Sequence, residues 1–180
     1  MALPAIPVPA SVAPGMPITG SLWNAQVVAA NAWFTGGPYA ILRQTAAQTL
    51  AAGTWTAITW QTADSDGFSG WSASTNPSRY TAAVPGWYRI TAQADFAANA
   101  TAGFRSIAIE VNGTNNATHR FAKQQLASYG SASYDDARWT STVVRLNAGD
   151  YVEAVVYSSI ALSLAAVDGQ PRMTVRWVGQ

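Results

Sequence analysis

The chain is 180 residues long, with a formal net charge of +1, and only 11% of its residues are charged. One lysine, Lys123, stands among nine arginines with no basic run, which argues against electrostatic binding to nucleic acid or an anionic membrane. With no cysteine and a single histidine, disulfides, thiol catalysis and multi-histidine metal centres are excluded, and no cofactor is expected. A chain of this length fits one domain with an appendage and can bury a core without staples. Two readings of so little charge stand side by side: a surface covered by other protein, or a merely neutral Ala/Ser/Thr-rich one.

Residues 1–20 hold five prolines, Pro4, Pro7, Pro9, Pro14 and Pro17. Proline fixes φ and removes a donor, so the segment reads as an extended, polyproline-like arm. Its apolar residues, among them Leu3, Ile6, Val8, Met16 and Ile18, set it apart from a polar linker. Either they lie along a neighbouring protein or the segment is a free tail. The start of the chain has no basic stretch, and its prolines interrupt any apolar run, so no secretory signal is read. No apolar run reaches the roughly 18 residues that span a bilayer.

Residues 21–38 read as a short helix with a Gly36-Gly37-Pro38 break. Ser21 or Thr19 can cap it, and Trp23, Val27, Ala30 and Phe34 fall on one face at helical spacing. A helix this short must dock that stripe on something.

From Tyr39 to residue 180 the signal is β. Strands are expected over 40–45, 54–60, 79–83, 87–97, 104–111, 119–127, 138–146, 151–159 and 172–178, with Asp64–Gly67 and Ser74–Ser78 as loops. The clearest is the run from Trp87, opened by Pro85-Gly86. It alternates Tyr88, Ile90, Ala92, Ala94 and Phe96 on an apolar face with Trp87, Arg89, Thr91, Gln93 and Asp95 on the other. Eight to ten short strands joined by polar turns indicate an all-β antiparallel jelly-roll sandwich.

Catalytic chemistry is sparse. His119 has no serine elbow to serve, and Asp64 and Asp66 have a calcium-loop spacing without the remaining ligands. Only nine acids exist, and the sequence pairs no two of them convincingly for glycoside hydrolysis. The Asn99, Asn112 and Asn116 sequons read as turn residues. Eight tryptophans are many for this length. Trp71, Trp87 and Trp139 are candidates for stacking on glycan or for packing against other subunits, and Trp55, Trp60 and Trp177 for core or interface.

Four segments in order carry a resemblance. Gly86-Trp87-Tyr88 opens a strand ending at Phe96. Val111-Asn112-Gly113 ends the next. Leu146-Asn147-Ala148-Gly149-Asp150-Tyr151-Val152 leads a third, and Met173–Gly179 closes the chain. Over about residues 40–179 the chain resembles the trimeric jelly-roll family of the complement globular head and tumour necrosis factor, without a collagen stalk. Leu22–Val27, the Gly-Gly-Pro break, Arg43-Gln44-Thr45 and Gln48 to Thr56 also look like small virion proteins of tailed phages that infect actinobacteria. Those resemblances imply a homotrimer in a virion that is not an enzyme. Its partners would be its own copies and the major capsid protein, which Leu3, Ile6, Val8, Met16, Ile18, Trp23, Val27 and Phe34 would grip on the outer capsid surface. The alternative they imply is a tail-fibre trimer that holds host-surface glycan with Trp71, Trp87 and Trp139.

Overall fold

The structure is a computed structural model that describes residues 7–8, 13–113, 117–130, 134–166 and 171–180, with the side chains of 34, 35 and 117 also outside it. It separates into two compact units, Met1–Gly37 and Pro38–Gln180.

In the first unit the Thr19 hydroxyl caps the helix by accepting from the Leu22 amide at 3.2 Å. The helix is not uniform. An α-helical turn, α1 (Gly20–Trp23), passes into a π-helical turn over Asn24–Val28 and then into α2 (Ala29–Gly36). A π turn takes more residues per turn and so rotates less at each residue, and the simple 3.6 spacing that runs forward from Trp23 is lost before α2. Trp33 is the buried aromatic of this segment, whereas Trp23 and Val28 are half exposed.

The second unit is a sandwich of two antiparallel sheets. Among the described residues its strands are β1 (Tyr39–Arg43), β2 (Gln48–Leu50), β3 (Trp55–Ala57), β4 (Thr62–Asp66), β5 (Arg79–Thr81), β6 (Gly86–Phe96), β7 (Gly103–Val111), β8 (Arg120–Ser128), β9 (Asp136–Leu146), β10 (Tyr151–Ser158), β11 (Leu162–Leu164) and β12 (Arg172–Gly179). One sheet runs β2-β11-β6-β12-β1-β4, with β9 on the free side of β6. The other runs β3-β10-β7-β8, with β5 also on β10. The fold class expected from the alternation is therefore the one found. Three strands were not expected: β2, β11 and β4, and the last turns the Asp64–Asp66 stretch from a loop into a strand paired with β1 across a bulge.

Period two places the core. Tyr88, Ile90, Ala92, Ala94 and Phe96 of β6 are fully buried, as are Leu42 of β1, Met173 and Val175 of β12 and Leu146 of β9 in the same sheet. Ile107, Ile109, Val152, Ala154 and Val156 face them from the second sheet, and Trp60 and Tyr80 are buried as well. The Tyr88 hydroxyl satisfies itself on the Val84 carbonyl at 2.7 Å, and burial pushes its pKa up to about 12. Asn112 explains one expected turn: its side chain donates to Asp150 at 2.8 Å and accepts the Tyr151 amide at 2.9 Å. The Asn147 amide and then the Asn112 side chain hold the Asp150 carboxyl below the usual carboxylate range.

Candidate interaction surfaces

Three surfaces of the described residues carry chemistry or unused apolar area. The first is the unit Met1–Gly37. No charged side chain occurs anywhere before Arg43. Of the predicted anchoring residues, Val8 (82%), Ile18 (76%), Met16 and Trp23 are more than half exposed, and Val27 more than a third. Leu3 and Ile6 lie outside the described residues, as does the Phe34 side chain. A helix that points Trp23 and Val28 at water draws no hydrophobic stabilisation from them.

The second surface is the outer face of the larger sheet. Antiparallel pairing sets β6 beside β9 so that Gln93 faces Trp139, Thr91 faces Ser141, Arg89 faces Val143 and Trp87 faces Arg145. All point away from the core. Trp139 is 63% exposed, and Trp87 and Val143 nearly half. The Thr91 and Ser141 hydroxyls bond to each other at 3.0 Å across the strands. Trp87 and Trp139 thus share one face, and Trp71 does not belong to this strand pair. The Trp71 indole N–H donates to the Pro77 carbonyl at 2.9 Å and its amide to Asp66 at 2.9 Å, which fixes the ring half-buried in a loop.

The third surface is the outer face of the smaller sheet, where two carboxylates that the sequence left apart meet. Glu110 and Glu153 sit directly opposite each other on β7 and β10, and both are buried. Like charges in such a pair repel. Each is neutralised by its own arginine: Arg120 reaches Glu110 at 2.5 Å and Arg79 reaches Glu153 at 3.3 Å. Arg120 also lies 3.9 Å over the Trp55 ring and Arg79 4.0 Å over Tyr151. Four ionised groups in an arginine–glutamate–glutamate–arginine row make a structural clamp; both carboxylates are held as ion-paired acceptors.

The expected calcium spacing also resolves. Asp64 pairs with Arg43 at 2.5 Å, while Asp66 accepts the Gly70 and Trp71 amides. His119 ends an exposed 3₁₀ turn, Ala117–His119, just before β8. Among the described residues no cluster of three metal-ligating side chains occurs. No helix among them is long and apolar enough to cross a membrane.

No family model matches the sequence, and no curated protein matches it. The fold has clear counterparts. The chain is similar to the globular domain of zebrafish complement 1qA protein, with a TM-score of 0.58 over 79% of this chain and 98% of that one at 12% identity. It is similar to Eiger TNF from S. frugiperda, with a TM-score of 0.59 over 79% and 94% at 10% identity. Murine APRIL gives a TM-score of 0.54 over 78% and 98% at 13% identity. At such identities the likeness is one of fold: the second unit is a complement-head and tumour-necrosis-factor-like jelly roll.

Proposed function

We propose that the chain is a structural protein of a bacteriophage particle: a homotrimer that decorates the outer surface of the capsid and stabilises the shell through its first 37 residues. One observation carries the reading. A segment without a single charged side chain leaves Val8, Met16, Ile18, Trp23 and Val28 in water. Such side chains contribute only when another protein covers them. The major capsid protein is the partner this reading requires, and added buried area resists expansion of the shell. The uncovered Trp87, Trp139 and Val143 face supports self-association, since neighbouring copies of a trimer would bury it.

A chain lacking residues 1–37 should stay folded and trimeric and no longer attach to particles; normal decoration by the truncated chain would refute the arm. Trp23→Ala should weaken attachment more than Trp71→Ala, because Trp71 is tied into its own loop. Copy number against the major capsid protein separates the rivals. Hundreds per particle support decoration. A handful favours the second reading, a tail-fibre trimer that holds host-surface glycan. That reading rests on Trp139 lying exposed beside Gln93, an aromatic plane next to a polar group as sugars require.

A further inference from the structure

On the β8–β9 side, the sandwich interior holds a positive charge that no described group balances. Arg105 points inward from β7 and is 2% exposed. Asp136 and Arg138 lie on the inward face of β9, with side chains 15% and 14% exposed. Arg105 Nη1 donates to Asp136 Oδ2 at 3.0 Å, Arg138 Nη2 donates to the same oxygen at 2.8 Å, and Arg138 Nη1 pairs with Oδ1. Two guanidinium ions therefore share one carboxylate.

Three nitrogens of the pair are buried without an acceptor: Arg105 Nε, Arg105 Nη2 and Arg138 Nε. Nε and Nη2 form one edge of the planar guanidinium, the fork that matches the two oxygens of a carboxylate. Unmet donors on a buried charge are among the costliest groups a fold can hold. The other described acids do not supply the missing acceptor. Of the nine carboxylates, Asp136 is engaged here, Asp168 lies outside the described residues, and the other seven take hydrogen bonds elsewhere. Solvent is close by: Leu126, opposite Arg105 on β8, is half exposed.

We propose that this cluster binds one carboxylate, which enters beside β8 and accepts from the Arg105 fork and from Arg138 Nε. Its source is either a small free carboxylate or an acidic side chain of another protein, and the proposal stands whatever particle the chain belongs to.

The test is a titration of the full-length protein with sodium acetate replacing chloride at constant ionic strength, with arginine Nε–H signals followed by NMR. Two Nε–H resonances should shift together and saturate. R138K keeps the charge but loses the Nε–H, and should bind acetate at least tenfold more weakly. D136N removes the competing internal carboxylate and should bind at least tenfold more tightly. R105Q should abolish saturation; if it does not fold, the opposite responses of R138K and D136N still decide. Equal responses to acetate and chloride, or wild-type binding by R138K, overturn the site. N-acetyl-glutamate α-amide then names the source: tenfold tighter binding than acetate assigns an acidic side chain of another protein, and equal or weaker binding assigns a free carboxylate.

Discussion

The two faces of β6 use the same eleven residues to opposite ends. Inward, Tyr88, Ile90, Ala92, Ala94 and Phe96 are sealed from water. Outward, Trp87, Arg89 and Thr91 stand in it, next to Trp139 and Val143 of β9. The inward face accounts for why the sandwich folds. The outward face adds little to one chain's stability, yet it holds large aromatic area that only an assembly or a ligand can use. Stability and recognition are thus laid on opposite sides of one strand, and each can be removed without the other.

The largest expected effect lies inside. Phe96→Ala should cost about 3–5 kcal/mol in urea unfolding, since a closed, well-packed site cannot collapse around the void. Trp139→Ala, at the partnering outer position, should change single-chain stability by less than about 0.5 kcal/mol. It should instead shift the oligomer, read by light scattering over a dilution series. If both variants lose similar stability, the outer face is core by another name and the contrast fails.

Gly86 tests where the two faces are set. Its φ is +145°, and an added Cβ would collide with the Trp177 indole and the Gly179 carbonyl of β12. Gly86→Ala should cost about 1–3 kcal/mol, part from backbone strain and part from displacing Trp177, whose N–H donates to the Pro85 carbonyl at 3.2 Å. A loss under 0.5 kcal/mol would show that the β6–β12 junction yields easily and that the register does not depend on it.

Legibility in the sequence follows the same division. Strands β6, β7 and β10 are readable because apolar residues recur at every second position between Asn/Gly turns. Three-residue strands such as Gln48–Leu50 and Leu162–Leu164 have no period to read; they exist because they pair with each other and extend the sheet. Asp64–Asp66 looks like a loop by composition, and becomes part of a strand because its backbone pairs with β1, with Asp64 also meeting Arg43. The helix was visible, but its buried aromatic was not, since a π turn carries no spacing signature. Of the site residues, the exposed Trp87 and Trp139 were legible as outward positions of strands. Arg105 was not. Its counter-ion among the described residues is 31 residues further along, and nothing local to Phe104-Arg105-Ser106 says that the charge turns inward.

The smallest effect concerns the place where the outward face breaks its own rule. Asp95 follows Trp87, Arg89, Thr91 and Gln93 in the alternation, yet it is buried. Burial raises its pKa, the Asp135 charge adds to the rise, and a 3.4 Å hydrogen bond from Gln93 opposes it. The folded chain therefore holds this proton more tightly than the unfolded chain does. Between the ordinary carboxylate value and the raised folded one, the native state carries more protons, so stability falls as pH rises through that window. Asp95→Asn removes the charged form. It should flatten that slope and raise Tm at pH 7 by about 1–2 °C, the scale expected of a fraction of a kcal/mol in a chain of this size. A fall in Tm would mean that the ionised carboxylate is held more strongly than burial penalises it. Asp95 would then be an anchor of the outer face, and that face would contribute to stability after all.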